Sequence, residues 1–227
     1  MYLIYGLIYP YICKLKAFME YPSQEKNLEV HDPLEAYYGG NYTYEDYLKF
    51  EFDEMVELIR GRIFKMSPAP RPSHQIIAGK LYREIANYFV HKPCQVFIAP
   101  TDIILPVENR KREKSNTVVQ PDICVICNTW LIEETGVFGS PDWIIEVLSP
   151  HTRKKDIQDK FSVYEECGVG EYWIVMPNEK LIECYVHTDG KYHRVNAFAE
   201  GDVINPSRFP DLKINVAEVL FVPNFKA

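Results

Sequence analysis

Two acidic residues stand where a folded chain tolerates them least. Glu146 interrupts the apolar run Trp143-Ile144-Ile145-Glu146-Val147-Leu148, which is bounded by Pro141 and Pro150. A run this short, punctuated by proline at both ends, predicts a buried strand. A carboxylate there is costly unless it is paired or bound to a metal. Asp122 follows Pro121 and starts a second apolar stretch, Ile123 to Cys127. If these strands pair, the two carboxylates come together, repel each other, and call for a divalent cation. A set of oxygens that includes a backbone carbonyl suits Mg²⁺ or Mn²⁺ better than zinc. The second Pro-Asp pair, Pro141-Asp142, cannot serve the same ion. Asp142 precedes Glu146 by four residues, about 13 Å along a strand. Simpler readings stand beside these: Glu146 paired with an arginine, and Asp122 capping a turn.

A cation follows closely. After Ser149-Pro150, Asp156, Lys160 and Tyr164 recur at every fourth position and share one helical face. Gly168 stops that helix, and Glu171 to Val175 starts another strand. Lys160 either pairs with Asp156 or offers its charge to the acids. Glu57 reads as a strand-surface charge, with a third acid of the site as the alternative. His74, at a helix start, suits capping, phosphate binding or a local hydrogen bond.

The elements that must position these residues are readable in order. Residues 1–41 form an arm and linker, and residues 42–227 form one domain. The apolar opening, Met1 to Cys13, is broken by Pro10, too short to span a membrane, and preceded by no basic region. No membrane association is expected; the arm could instead pack on a second subunit, making a homodimer. Thr43 caps a short helix, Tyr44 to Phe50, with Asp46 completing an acidic capping box. Met55 to Ile59 and Arg62 to Met66 flank Arg60-Gly61 as a hairpin. Ser73 is expected to cap a helix running to about Val90, with Ile76, Ile77, Leu81, Ile85, Tyr88 and Phe89 at helical spacing. Strands follow at Gln95 to Ile98 and Ile103 to Val107. Beyond the central stretch, Leu181 to Val186 and Lys191 to Val195 flank Asp189-Gly190 as a second hairpin. One helical turn is expected near Val216 to Leu220. The order gives an α/β domain with one mixed sheet.

Bulk properties narrow the class. The chain has 227 residues, a net charge of −7, 47% hydrophobic and 14% aromatic residues. It is globular, and too acidic for a non-specific nucleic-acid coat, although a local basic groove remains open. Positive charge gathers at Arg110-Lys111-Arg112 with Lys114, and at Arg153-Lys154-Lys155. The six cysteines are scattered. Cys124 and Cys127 mimic a metal or redox pair, but three-residue spacing in a strand points them to opposite faces. Buried thiols in a reducing cytoplasm are expected.

The ordered series resembles the Uma-two family of endonucleases within the PD-(D/E)XK, restriction-endonuclease-like superfamily. From about Thr43 to Lys191 the likeness rests on several motifs in sequence. They are a tyrosine-rich helix, Glu57-Leu58-Ile59-Arg60-Gly61, Ser-Pro followed by His74, Pro121-Asp122, Glu146 to Pro150, Asp156/Lys160/Tyr164, and Gly168 to Trp173. The resemblance implies a central mixed sheet flanked by helices, with an N-terminal β-hairpin. It also implies Mg²⁺-dependent cleavage of DNA, with the metal held by Asp122, Glu146 and the Val147 carbonyl. Leu148 occupies the lysine position of the motif, so Lys160 from the following helix is the candidate replacement. Lys160→Ala is accordingly expected to lower cleavage while sparing the fold. The alternatives are a catalytically silent nucleic-acid-binding or regulatory module on the same scaffold, and a nuclease acting on RNA or single strands.

Overall fold

The computed structural model describes residues 40–66, 70–149 and 155–225, all within the unit Pro33–Ala227, and for residues 155–157 the backbone alone. The expectations for the N-terminal arm, for Arg153-Lys154-Lys155 and for the Asp156 side chain lie outside these residues.

Asp46 accepts the Thr43 backbone and hydroxyl hydrogens at 2.9 and 2.8 Å, fixing the start of α1 (Tyr44–Tyr47). The helix ends earlier than its pattern suggests. Strands β1 (Val56–Ile59) and β2 (Arg62–Lys65) form the hairpin, turning through Arg60 and Gly61 at φ 51° and 76°. Helix α2 (Pro72–Phe89) follows, with Arg71 rather than Ser73 as its cap. Pro72 explains the shift, because its missing N–H costs nothing at the first helical position. Next come β3 (Gln95–Ile98) and a short β4 (Ile103–Ile104), where a 3₁₀ turn at Val107–Asn109 cuts off the expected longer strand. The apolar stretch from Val118 divides into β5 (Val118–Val119) and β6 (Ile123–Ile126). Beyond them lie β7 (Ile132–Glu133), β8 (Gly136–Phe138) and β9 (Trp143–Val147). A π-helical turn, Lys155–Lys160, runs into α3 (Phe161–Glu166) and returns as β10 (Glu171–Met176). The chain closes with the hairpin β11 (Leu181–Thr188) and β12 (Lys191–Ala199), then β13 (Val203–Ile204), β14 (Ile214–Asn215) and α4 (Val216–Leu220).

Among the described residues the strands fill two six-stranded sheets and one small pair. One large sheet is the expected mixed sheet, ordered β12-β11-β10-β9-β6-β3. Its β9 and β10 are parallel, joined by the helical crossover, and β6 lies antiparallel to β9. The other, ordered β2-β1-β5-β4-β8-β7, contains the N-terminal hairpin. The sequence did not separate these two sheets. The chain passes from one to the other at Gln120-Pro121-Asp122, where proline supplies no ladder donor.

Both faces of the first sheet are covered. Trp143, Ile145 and Val147 pack with Ile77, Leu81 and Ile85 of α2. Ile144 and Leu148 point the other way, into a core with Val163, Tyr164 and Tyr172 that also takes in Ile59 and Val119 of the second sheet. Burial on both faces is why β9 reads as a continuous apolar run. Strand alternation puts Glu146 in the core between the sheets, with Ile144 and Leu148.

One cysteine expectation fails. Cys94 and Cys127 form a disulfide. Gln95 faces Ile126 in the β3–β6 ladder, so the next positions outward, Cys94 and Cys127, face each other. That proximity arises from strand pairing and is invisible in the 33-residue separation. Cys124 and Cys184 are free, buried thiols, and Cys167 is free and half-buried.

Candidate active site

Register brings the two sequence-predicted acids to one place. Ile123 faces Ile145 across the β6–β9 ladder. One step further, Asp122 stands opposite Glu146. The Asp122 carboxylate accepts the Val147 backbone N–H at 2.7 Å through Oδ2, and His74 Nε2 lies 3.3 Å from the same oxygen. Its Oδ1 accepts no hydrogen bond among the described residues. Asp142, at the far end of β9, is a structural residue. It accepts the Cys127 N–H at 2.7 Å and the Arg208 guanidinium at 2.9 Å.

Glu146 is almost fully buried and meets two donors from the helical crossover. Lys160 Nζ lies 2.8 Å from its Oε1, and the Tyr164 hydroxyl donates to that oxygen at 2.8 Å. The four-residue spacing of Lys160 and Tyr164 aims both at one carboxylate oxygen. Burial, and then the Glu146 charge, push the Tyr164 phenol well above its usual pKa, so it remains a donor. The Asp122 carboxylate does more than cap a turn, because it also holds the β9 backbone.

Glu57 is the residue that sequence reading placed wrongly. It is fully buried, not a strand-surface charge. Val56 and Leu58 face a core beneath α1, whereas Ile59 faces the first sheet. Alternation therefore turns Glu57 toward the first sheet as well. There its Oε1 lies 2.9 Å from Lys160 Nζ and accepts the Gln120 backbone N–H at 2.8 Å. Among its described partners, Lys160 is thus a buried cation shared by two acids, one from each sheet. The available signal was weak: a glutamate flanked by apolar residues on both sides in a hairpin.

His74 resolves as a partner of Asp122. Burial opposes its protonation, yet the Asp122 carboxylate, the Val147 carbonyl and the Glu146 charge outweigh burial and raise its pKa. Its Nδ1 is buried without a hydrogen-bond partner among the described residues. The basic run at 110–114 is largely spent on surface acids. Arg110 binds Glu108, Arg112 binds Glu133, and Lys114 lies 3.3 Å from Glu45. Among the described residues no three of His, Cys, Asp and Glu form a ready metal cluster, and no helix is long and apolar enough to cross a membrane.

This arrangement of a mixed sheet, a hairpin and an acid pair at neighbouring strand ends is the restriction-endonuclease-like architecture. The crystal structure of a putative nuclease belonging to DUF820 from Anabaena variabilis has the same fold, with a TM-score of 0.63 at 20% identity. The alignment covers 79% of this chain and 99% of that one. The family model for Uma2, described as putative restriction endonuclease, matches residues 43–217. The chain belongs to the Uma2 family. Among curated proteins none is detectably similar.

Proposed function

We propose that this chain is a metal-dependent nuclease that hydrolyses phosphodiester bonds in DNA. The observation that carries the reading is the meeting of Asp122 and Glu146 at adjacent register positions, with the buried Lys160 bonded to Glu146. The donors fit Mg²⁺ or Mn²⁺. Two carboxylates and the Val147 carbonyl are hard oxygens, Asp122 Oδ1 is uncommitted among the described residues, and water and phosphate complete such a shell. When bound, the metal would lower the pKa of a water and neutralise phosphate charge. Asp122 and Glu146 would hold it from two strands whose register is fixed by the sheet. Lys160 would add a fixed positive charge beside Glu146, oriented by Glu57, to stabilise the developing phosphorane charge. Tyr164 would keep the Glu146 carboxylate in its rotamer.

A catalytically silent module is the second reading, favoured by Leu148, which is buried in apolar surroundings where the motif has lysine. Calorimetric titration with Mn²⁺, alongside cleavage of plasmid, single-stranded DNA and RNA, separates the two. The wild type should bind Mn²⁺ and cut DNA, and Asp122→Asn should lose most of both while keeping its melting transition. Cleavage should fall about 10²–10⁴-fold, as when one positioned charge leaves a transition state. Equal Mn²⁺ binding by wild type and Asp122→Asn would remove the metal site. Binding without cleavage of any substrate would leave the silent module.

A further inference from the structure

A cleft of about 450 Å³ opens just beyond the end of β3, within the range that holds small ligands. Its position follows from the strands. Ala99, the residue after β3, donates its N–H to the Asp122 carbonyl at 3.0 Å, and Pro100, Thr101 and Asp102 then line the cleft. The cleft therefore begins one residue from the partner of Asp122. Phe97, Pro100, Ile132 and Val137 give it apolar walls.

The polar end has an unusual composition. Asp102 accepts the Gln120 side-chain amide at 2.7 Å and the Tyr47 hydroxyl at 3.1 Å, both through Oδ1. Its Oδ2 accepts nothing among the described residues. The Gln120 side-chain oxygen, on the same amide that holds Asp102, is buried and has no partner among the described residues. Glu133 and Glu134 also line the cleft, and no lysine or arginine does. The Asp102 Oδ2 acceptor attracts neutral groups rich in N–H donors, whereas Glu133 is already paired with Arg112. Gln120 also links this end to Lys160, because its backbone N–H donates to Glu57, which Lys160 contacts. Two residues before Ile132, Trp130 is 93% exposed, an uncovered aromatic face of the kind on which bases stack.

We propose that the cleft binds an unpaired nucleobase flanking the cleaved phosphate, and that it selects guanine. Apolar walls stack a base. Guanine alone among the common bases presents two adjacent N–H donors, N1–H and the exocyclic amine, on its Watson–Crick edge. Adenine and cytosine place a ring acceptor beside their amine, against the carboxylate. The substrate would accordingly be single-stranded or locally opened at that position. The inference rests on the nuclease reading for its placement, but its test does not.

Binding is measured by fluorescence anisotropy in EDTA, so that nothing is cut. The probes are short single-stranded oligonucleotides that differ only at one central position: guanine, inosine, adenine or abasic. The wild type should bind the guanine probe roughly tenfold or more tighter than the inosine and adenine probes, as for a paired donor contact. The abasic probe should be weakest. Asp102→Asn should erase the preference for guanine over inosine, and Phe97→Ala should weaken all three bases alike. Equal wild-type affinity for guanine, inosine and adenine overturns the proposal without reference to any variant. A guanine preference in a protein that cuts no substrate in Mg²⁺ would remove the nuclease reading and leave the cleft. Cleavage with no base preference would do the reverse.

Discussion

Lys160 turns on a comparison of magnitudes. A lysine on an exposed helix face contributes less than about 1 kcal/mol through its ion pairs. Lys160 is buried against two buried carboxylates, at 2.9 Å from Glu57 and 2.8 Å from Glu146. Removing one partner of a buried pair costs about 3–5 kcal/mol, because the remaining charges stay desolvated and unmatched. Lys160→Ala should therefore destabilise the protein by that order in urea denaturation, against the expectation from sequence that folding would be spared. Loss of cleavage in this variant then says little about chemistry. Adding Leu148→Lys returns an ammonium from the strand side, since Leu148 packs in the same core as Tyr164. The double variant should recover part of the lost stability. A Lys160→Ala protein as stable as wild type would show that both acids take up protons or find other cations at little cost.

At the scale of elements, the hairpin and the crossover deliver the charges. The β1–β2 hairpin carries Glu57, and its turn at Arg60-Gly61 has positive φ at both positions. That is the two-residue turn whose twist matches its strands. A Cβ at Gly61 would collide with the Asn41 side-chain oxygen, on a backbone at φ +76°. Gly61→Ala should cost about 1–3 kcal/mol. Arg60 reaches Glu166 at 2.6 Å and Ser162 at 3.2 Å, tying the turn to α3, but both charged side chains are well exposed. Arg60→Ala should cost less than about 1 kcal/mol. Equal losses for the two in urea denaturation would place the constraint in the tether rather than in the turn. The hairpin was legible because Arg60-Gly61 separates two apolar runs. The π-helical turn ahead of α3 was not, since the sequence pattern there is equally compatible with an ordinary helix.

Across the whole molecule, partly buried phenols set a limit at alkaline pH. Burial, and then the Glu183 hydrogen bond, push Tyr185 up to about 12. Burial first, with the Glu165 charge second, raises Tyr192 further, and burial with Asp102 raises Tyr47. A folded-state pKa above the unfolded value means that the folded protein holds protons the unfolded chain releases. Stability is therefore complete below about pH 10 and falls as pH rises from there through the folded-state values. Urea midpoints at about pH 8 and about pH 11 should differ, with the lower stability at the higher pH. Tyr192→Phe should narrow that gap without loss near neutrality, because the Tyr192 hydroxyl is buried without a partner. An unchanged gap would assign the alkaline loss to other groups.

What the chain determined by itself is what local pattern can encode. Proline, glycine and apolar period marked the two hairpins, α2, β9, β10 and the turn at Val216. The ordered motifs marked the family. Alternation along β9 put Glu146 and Leu148 on one face, and four-residue spacing put Lys160 and Tyr164 on one face of their helix. That both meet one carboxylate came from the fold. Which carboxylate it would be lay outside the pattern. Glu57 and Glu146 are 89 positions apart in sequence and meet through one ammonium, because two sheets stack with those faces inward. Cys94 and Cys127 meet because two strands pair in one register. Gln120 and Asp122 serve different neighbours because the chain changes sheets between them. Periodicity reports whether a side chain is buried. Only the apposition of distant elements decides which buried charge answers which.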